Sequence, residues 1–145
     1  MNLVDSKQKK LNAGQIIGLW LQNNPNQEKP PQVMLPAILH ELSMPGVQTK
    51  QIGNTLFEVM PGKDGQGFFK AFNADVGQNF VENSKMFVVW ASKMLHLKIL
   101  VTEFDDPSLV RLFKIISMNP PMPGMGYQVF SMQDGKTRIV LNLGG

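Results

Sequence analysis

The spacing of apolar residues changes period several times along this chain. In "AGQIIGLWLQNN" Ile16, Ile17, Trp20 and Leu21 fall on one helical face, which Pro25 ends. The loop "NPNQEKPP" follows. A second helical face runs through "PPQVMLPAILHEL", with Val33, Met34, Ala37, Ile38 and Leu42. Pro31 suits its first turn, Pro36 kinks or restarts it, and Pro45-Gly46 stops it. The period then drops to two. "NTLFEVM" sets Leu56, Glu58 and Met60 on one face and Thr55, Phe57 and Val59 on the other. "PGKDGQ" is turn chemistry and "GFFKAFNA" the returning strand, so a β-hairpin is predicted, with a short strand over 49–52 before it.

Helical spacing returns in "NFVENSKMFVVWASKMLHL", where Phe80, Ser84, Phe87, Val88, Ala91, Met94 and Leu95 form a stripe. Asn79, with Glu82 three residues on, has the spacing of a capping box. "KILVTEF" is a short apolar run, as in a central buried strand. "DDPSLVRLFKIISMN" predicts another helix, with Asp106 as N-cap, Pro107 as first residue, and Leu109, Leu112, Phe113 and Ile116 inward. "YQVFSM", "QDGK" and "TRIVLNL" make a last hairpin. Strand, helix, strand in the middle requires a parallel crossover, and the hairpins add antiparallel pairs. The predicted fold class is α/β (α+β): a single-domain mixed sheet of five to seven strands with helices on both faces.

Composition narrows the chemistry. With 145 residues, 43% of them hydrophobic, the chain is long enough for one cored domain, expected over 13–145. Residues 1–12 are polar, with Lys7, Lys9 and Lys10 clustered, and read as an N-terminal arm. The chain has no cysteine, which excludes disulfides, thiolate metal sites and a cysteine nucleophile. His40 and His96 match no metal-ligand spacing, so no metal is expected. A net charge of +3 is too small to argue for nucleic acid. Lys93, Lys98 and Glu103 interrupt the best candidate for a membrane span, and "MNLVDSKQKKLNAG" lacks the apolar core of a signal peptide, so a cytoplasmic or virion protein is expected. Met118, Met122 and Met125 gather around "NPPMPGMG", and this loop or the arm would meet a protein partner.

The order of elements resembles the GNAT acyltransferase superfamily over residues 13–143. "GFFKAFNAD" is similar to that family's strand before the cofactor loop, "NFVENSKMFVVWASKM" to its cofactor-loop helix, and "KILVTEF" onward to its later strands and helix. The resemblance implies that acetyl-CoA would place its pyrophosphate at the strand-helix junction, with Gly77, Gln78 and Asn79 as binding candidates. In place of the family's two-glycine loop the chain has "DVGQNF", with one glycine, an aspartate at 75, and no lysine or arginine between Lys70 and Lys85. The position matching the family's proton-donating tyrosine is Phe113; the sole tyrosine, Tyr127, opens a strand. Among the possible bases Glu58 lies mid-hairpin and Glu103 ends the central strand, followed by Asp105 and by Asp106, the expected helix cap; Glu103, closing a buried strand, is the one expected to have a raised pKa. These departures favour a non-catalytic GNAT-like binding or structural protein with no cofactor. Some podovirus internal virion proteins resemble acyltransferases in fold, and a phage virion component fits the composition. The alternative is an acetyl-CoA-dependent N-acyltransferase with an atypical cofactor loop.

Overall fold

The computed structural model describes residues 10–25, 27–105 and 109–144. Ten elements follow one another: α1 (Ala13–Asn23), α2 (Pro31–Leu42), β1 (Gln48–Ile52), β2 (Thr55–Pro61), β3 (Gln66–Asn73), α3 (Gly77–Met94), β4 (Ile99–Phe104), α4 (Val110–Met118), β5 (Gly126–Ser131) and β6 (Thr137–Asn142). The strands form one sheet in the order β1-β2-β3-β4-β6-β5. Every neighbouring pair is antiparallel except β3–β4, as the crossover through α3 requires. The mixed sheet, its six strands and the helices on both faces are those expected from the sequence.

Local chemistry sets the element ends. Asn12 caps α1 and shares a reciprocal capping box with Gln15. The β2–β3 turn uses Asp64 and Gly65, both at positive φ, and so matches the twist of the strands it joins. Asp134-Gly135 turns β5 into β6, with Gly135 at φ +87°. The expected helix start at Asn79 is corrected: α3 begins at Gly77, Val76 is its N-cap without a side-chain cap bond, and Glu82 accepts from Gln78 at 3.0 Å instead. Asp106 and Pro107, the expected cap of α4, lie outside the described residues, as does most of the expected arm. The end of that arm is tied down, since Leu11 donates its N–H to Asn54 and accepts from Gln51.

Two cores flank the sheet. On one face Phe57, Val59 and Phe69 meet Phe87, Val88 and Ala91 of α3 and Phe113 of α4. Phe57 and Phe87 stack at 4.2 Å with planes 3° apart. On the other face α1 brings Ile16, Ile17 and Leu21 against Leu56 and Phe72, with Ile38 of α2. Strand β2 therefore alternates as its sequence predicts. Helix α2 is lightly seated: Val33 is 46% exposed and only Ile38 is buried, so its predicted stripe is narrower than expected. Leu109 and Met94 are also exposed, outside the stripes expected for α4 and α3.

Candidate active site

The site begins with a fault in the sheet. β2 and β3 pair from Thr55–Asn73 to Pro61–Gly67, and β4 and β6 pair from end to end. β3 and β4 pair only from Gln66–Ile99 to Phe68–Val101. Beyond that rung the two parallel strands continue, β3 to Asn73 and β4 to Phe104, without pairing each other. Their facing backbone edges are left without a strand partner, a wedge that opens toward the C-terminal ends of both strands. In sheets of this kind that end is where ligands bind.

Helix α3 starts three residues after β3, so its N-terminus stands at the open end of the wedge. Val76 is 76% exposed, and no side chain caps the first N–H groups. A Cβ added at Gly77 would meet nothing within 4 Å, and the residue lies at φ +33°. Gly77, Gln78 and Asn79, the expected binding candidates, are thus the first residues of a long uncapped helix with open space before it, an arrangement suited to an anion.

A polar network holds the junction. The Asp75 carboxylate accepts from the Asn54 N–H at 2.8 Å and from Asn83 at 2.7 Å. Asn83 also donates to Thr55, whose hydroxyl donates to Asn73, and Asn73 brackets Asp75 through both backbone groups. Asp75 is therefore engaged by the β1–β2 turn and α3, which weakens the repulsion expected from its charge. Gly53 fits beneath it at φ +57°, where a Cβ would come within 2.8 Å of the carboxylate.

The two glutamates among the possible bases differ. Glu103 does not close a buried strand: it is exposed and holds Arg138 of β6 in a cross-strand ion pair, with the Arg138 Nε donating at 2.6 Å. The burial from which its raised pKa was expected is absent. Glu58 is 4% exposed, and its Oε1 is buried without a hydrogen-bond partner. Burial pushes its carboxyl up to about 7, and the facing Glu41 carboxyl of α2 adds to the rise by hydrogen bonding and by its charge; Lys70 opposes it. Glu41 is held below the usual range, first by the hydrogen bond with Glu58 and then by Lys70, 3.1 Å away. The sequence shows Glu58 mid-strand but not the helix that covers it.

Phe113 is buried and stacks on Phe104, with no hydroxyl to offer. Tyr127 pairs with Leu141 in the row that contains Leu100, at the paired end of β4, and lines an open hollow there. His40 and His96 are exposed near helix ends, as expected. Among the described residues no group of three or more His, Asp or Glu side chains could hold a metal, and no helix is long and apolar enough to cross a membrane.

No family model and no curated protein matches this chain. Solved structures do. A variant of the spermidine N-acetyltransferase SpeG from Vibrio cholerae superposes with a TM-score of 0.58 at 12% identity, covering 93% of this chain and 94% of its own. The Campylobacter jejuni N-acetyltransferase PseH, in complex with acetyl coenzyme A, gives 0.55 at 12% identity, covering 91% and 92%. FdhC, a nucleotide-linked sugar GNAT, gives 0.55 at 11% identity over 92% and 84%. The protein has a GNAT-like fold, as its element order implied. These likenesses bear on architecture and not on the expected virion role.

Proposed function

We propose that this protein is an acetyl-CoA-dependent N-acyltransferase, the alternative reading of the sequence rather than the non-catalytic one. The observation that carries the proposal is the wedge: β3 and β4 part after Phe68 and Val101, and the uncapped end of α3 stands at the opening. The solved structures it resembles are acetyltransferases, one of them holding acetyl-CoA, which supports the same reading.

The chain's groups fit such a ligand. The free N–H groups at Gly77 and Gln78 suit a pyrophosphate, and the open space at Gly77 allows close approach. The unpaired edges of β3 and β4 offer backbone donors and acceptors to the amides of a pantetheine arm, as a strand would. Acetyl-CoA supplies the acyl group as a thioester: the amine nitrogen bonds to the carbonyl carbon, the carbon–sulfur bond breaks, and an amine proton ends on sulfur. Phe113, at the position matching the family's tyrosine, brings no phenol to the sulfur. A thiol with a pKa near that of cysteine, about 8.5, leaves without one. Glu58 is near enough to neutrality to take up a proton, but its burial beneath α2 means that any transfer to it passes through solvent.

The test is calorimetric titration with acetyl-CoA and CoA at low salt. A dissociation constant of about 10 micromolar or tighter is expected, weakened when Gly77 is replaced by valine. Absence of heat up to about 1 mM ligand would return the protein to the non-catalytic reading.

A further inference from the structure

The acceptor side of this site can be read from the half of the sheet over which no described helix packs. On the Glu58 face, α1 and α2 pack over β2 and β3. The strand register continues that face across β4, β6 and β5. Met60, Phe68, Val101, Val140 and Gln128 form one row across five strands. Glu103, Arg138 and Phe130 form the next row toward the wedge, and Ile99, Asn142 and Gly126 the row on the other side.

This shelf has three properties. It is apolar where a surface is usually polar: Phe68 is 52% exposed, Met60 46% and Phe130 44%. It is hollow at one end, where an open cavity of about 350 Å³ is lined by Ile99, Gly124, Tyr127, Gln128, Val140 and Asn142; Gly126 lacks a side chain there, and a Cβ would meet nothing within 4 Å. That volume suits a small molecule. Finally, its charges cancel, because Glu103 is spent on Arg138, while Glu41 and Lys70 on the covered side pair with each other.

From this juxtaposition of an apolar hollow with the closed end of the wedge, we propose that the shelf is the acceptor site and that the acceptor is a primary amine on an apolar, aromatic or alkyl body. The inference rests on the acyltransferase reading and specifies its second substrate. Continuity fixes the occupant: the row that holds Phe68 and Val101 is the last rung before the strands part, one rung from the hollow. Two residues of strand separate those rows, about 7 Å, roughly the span from a phenyl ring to the nitrogen of an arylalkylamine. Among the described residues of these three rows the one carboxylate, Glu103, is already paired with Arg138, so a polyamine would find no free charge in them. A nucleotide-linked sugar would find only Arg138, already engaged by Glu103. The acceptors named for the structural neighbours are therefore not the ones this surface suits.

The experiment compares phenethylamine and phenylbutylamine with spermidine and glucosamine. Binding in the presence of CoA is read by saturation-transfer NMR, and turnover by thiol release from acetyl-CoA. The phenyl-bearing amines should bind through their rings and show a KM at least about tenfold below the others, the worth of one good aromatic contact. Phe68→Ala, and Gly126→Leu, which fills the hollow from an edge strand, should each raise that KM about tenfold while acetyl-CoA affinity stays unchanged. Preference for spermidine or glucosamine, or a KM indifferent to both substitutions, would overturn the proposal. So would a dimer in sedimentation that Phe68→Arg dissociates, since the shelf would then be a subunit interface. Failure of the wild-type chain to bind acetyl-CoA in the separate calorimetric assay removes the parent reading, and this one with it.

Discussion

One face of the sheet has a half covered by α1 and α2 and a bare half, over which no described helix packs, and each carries a glutamate. Under α2, Glu58 is sealed from solvent beside another carboxyl, and its proton is held to about pH 7. On the bare half, Glu103 stays in solvent against Arg138. Both are strand residues pointing to the same side. The difference is a helix overhead, which changes the electrostatic character of a carboxylate more than its place in the sequence does. The same contrast separates Leu56, buried beneath α1, from Phe68, a larger side chain left in water.

Four measurements would break or sharpen this contrast. The largest effect belongs to the covered half: Leu56→Ala should cost about 2–5 kcal/mol in chemical denaturation, as for other buried leucines. Next comes pH. The folded-state pKa of Glu58 lies above its ordinary 4.5, so its contribution to stability is complete below about pH 4.5 and is lost as pH rises through about 7. The loss should be on the order of 3 kcal/mol. The lowered pKa of Glu41 acts oppositely: its contribution is present above 4.5 and is lost as pH falls. Denaturation midpoints should therefore peak near pH 5, and Glu58→Gln should flatten the limb toward neutrality. A limb that survives in that variant would assign the titration elsewhere. Third, a double-mutant cycle on Glu103 and Arg138 should give about 0.2–1 kcal/mol, the usual worth of an exposed pair, and less in high salt. Last, Phe68→Ala should change stability by no more than about 0.5 kcal/mol, because the ring is mostly in water already. A large loss there would mean that the bare half is covered in solution.

Much of this architecture was legible along the chain. The hairpins could be read because Asp64-Gly65 and Asp134-Gly135 demand particular turns, and the faces of β2 because residues alternate wherever a strand is flanked on both sides. The start of α3 was misplaced because Asn79 and Glu82 have capping-box spacing, yet the Asp75–Asn83–Thr55 network fixes the backbone two residues earlier. The wedge could not be read at all. "FFKAFN" alternates in the same way whether its outer edge pairs or stays open, since pairing depends on where a distant strand runs. Nor could the burial of Glu58, which takes a helix from elsewhere in the chain, continuous through Pro36, to lie across it. The binding candidates Gly77, Gln78 and Asn79 were found from the junction alone, but the strand edges beside them were not.

The short β3–β4 register also bears on the order in which the chain assembles. The pairs β1–β2, β2–β3 and β5–β6 each close across a tight turn. β4, by contrast, meets β6 over a long separation rewarded by six rungs, and meets β3, for only three, after α3 has been formed and laid back over the sheet. Loop closure makes such a contact late, and here few rungs reward it. The two hairpins should gain protection first in pulse-labelled hydrogen exchange, and the amides around Gly67 and Leu100 last; simultaneous protection would refute this order. A chain interrupted before that final step would hold nearly all of its secondary structure and have no wedge, so the capacity to bind would arrive abruptly, at the end of folding.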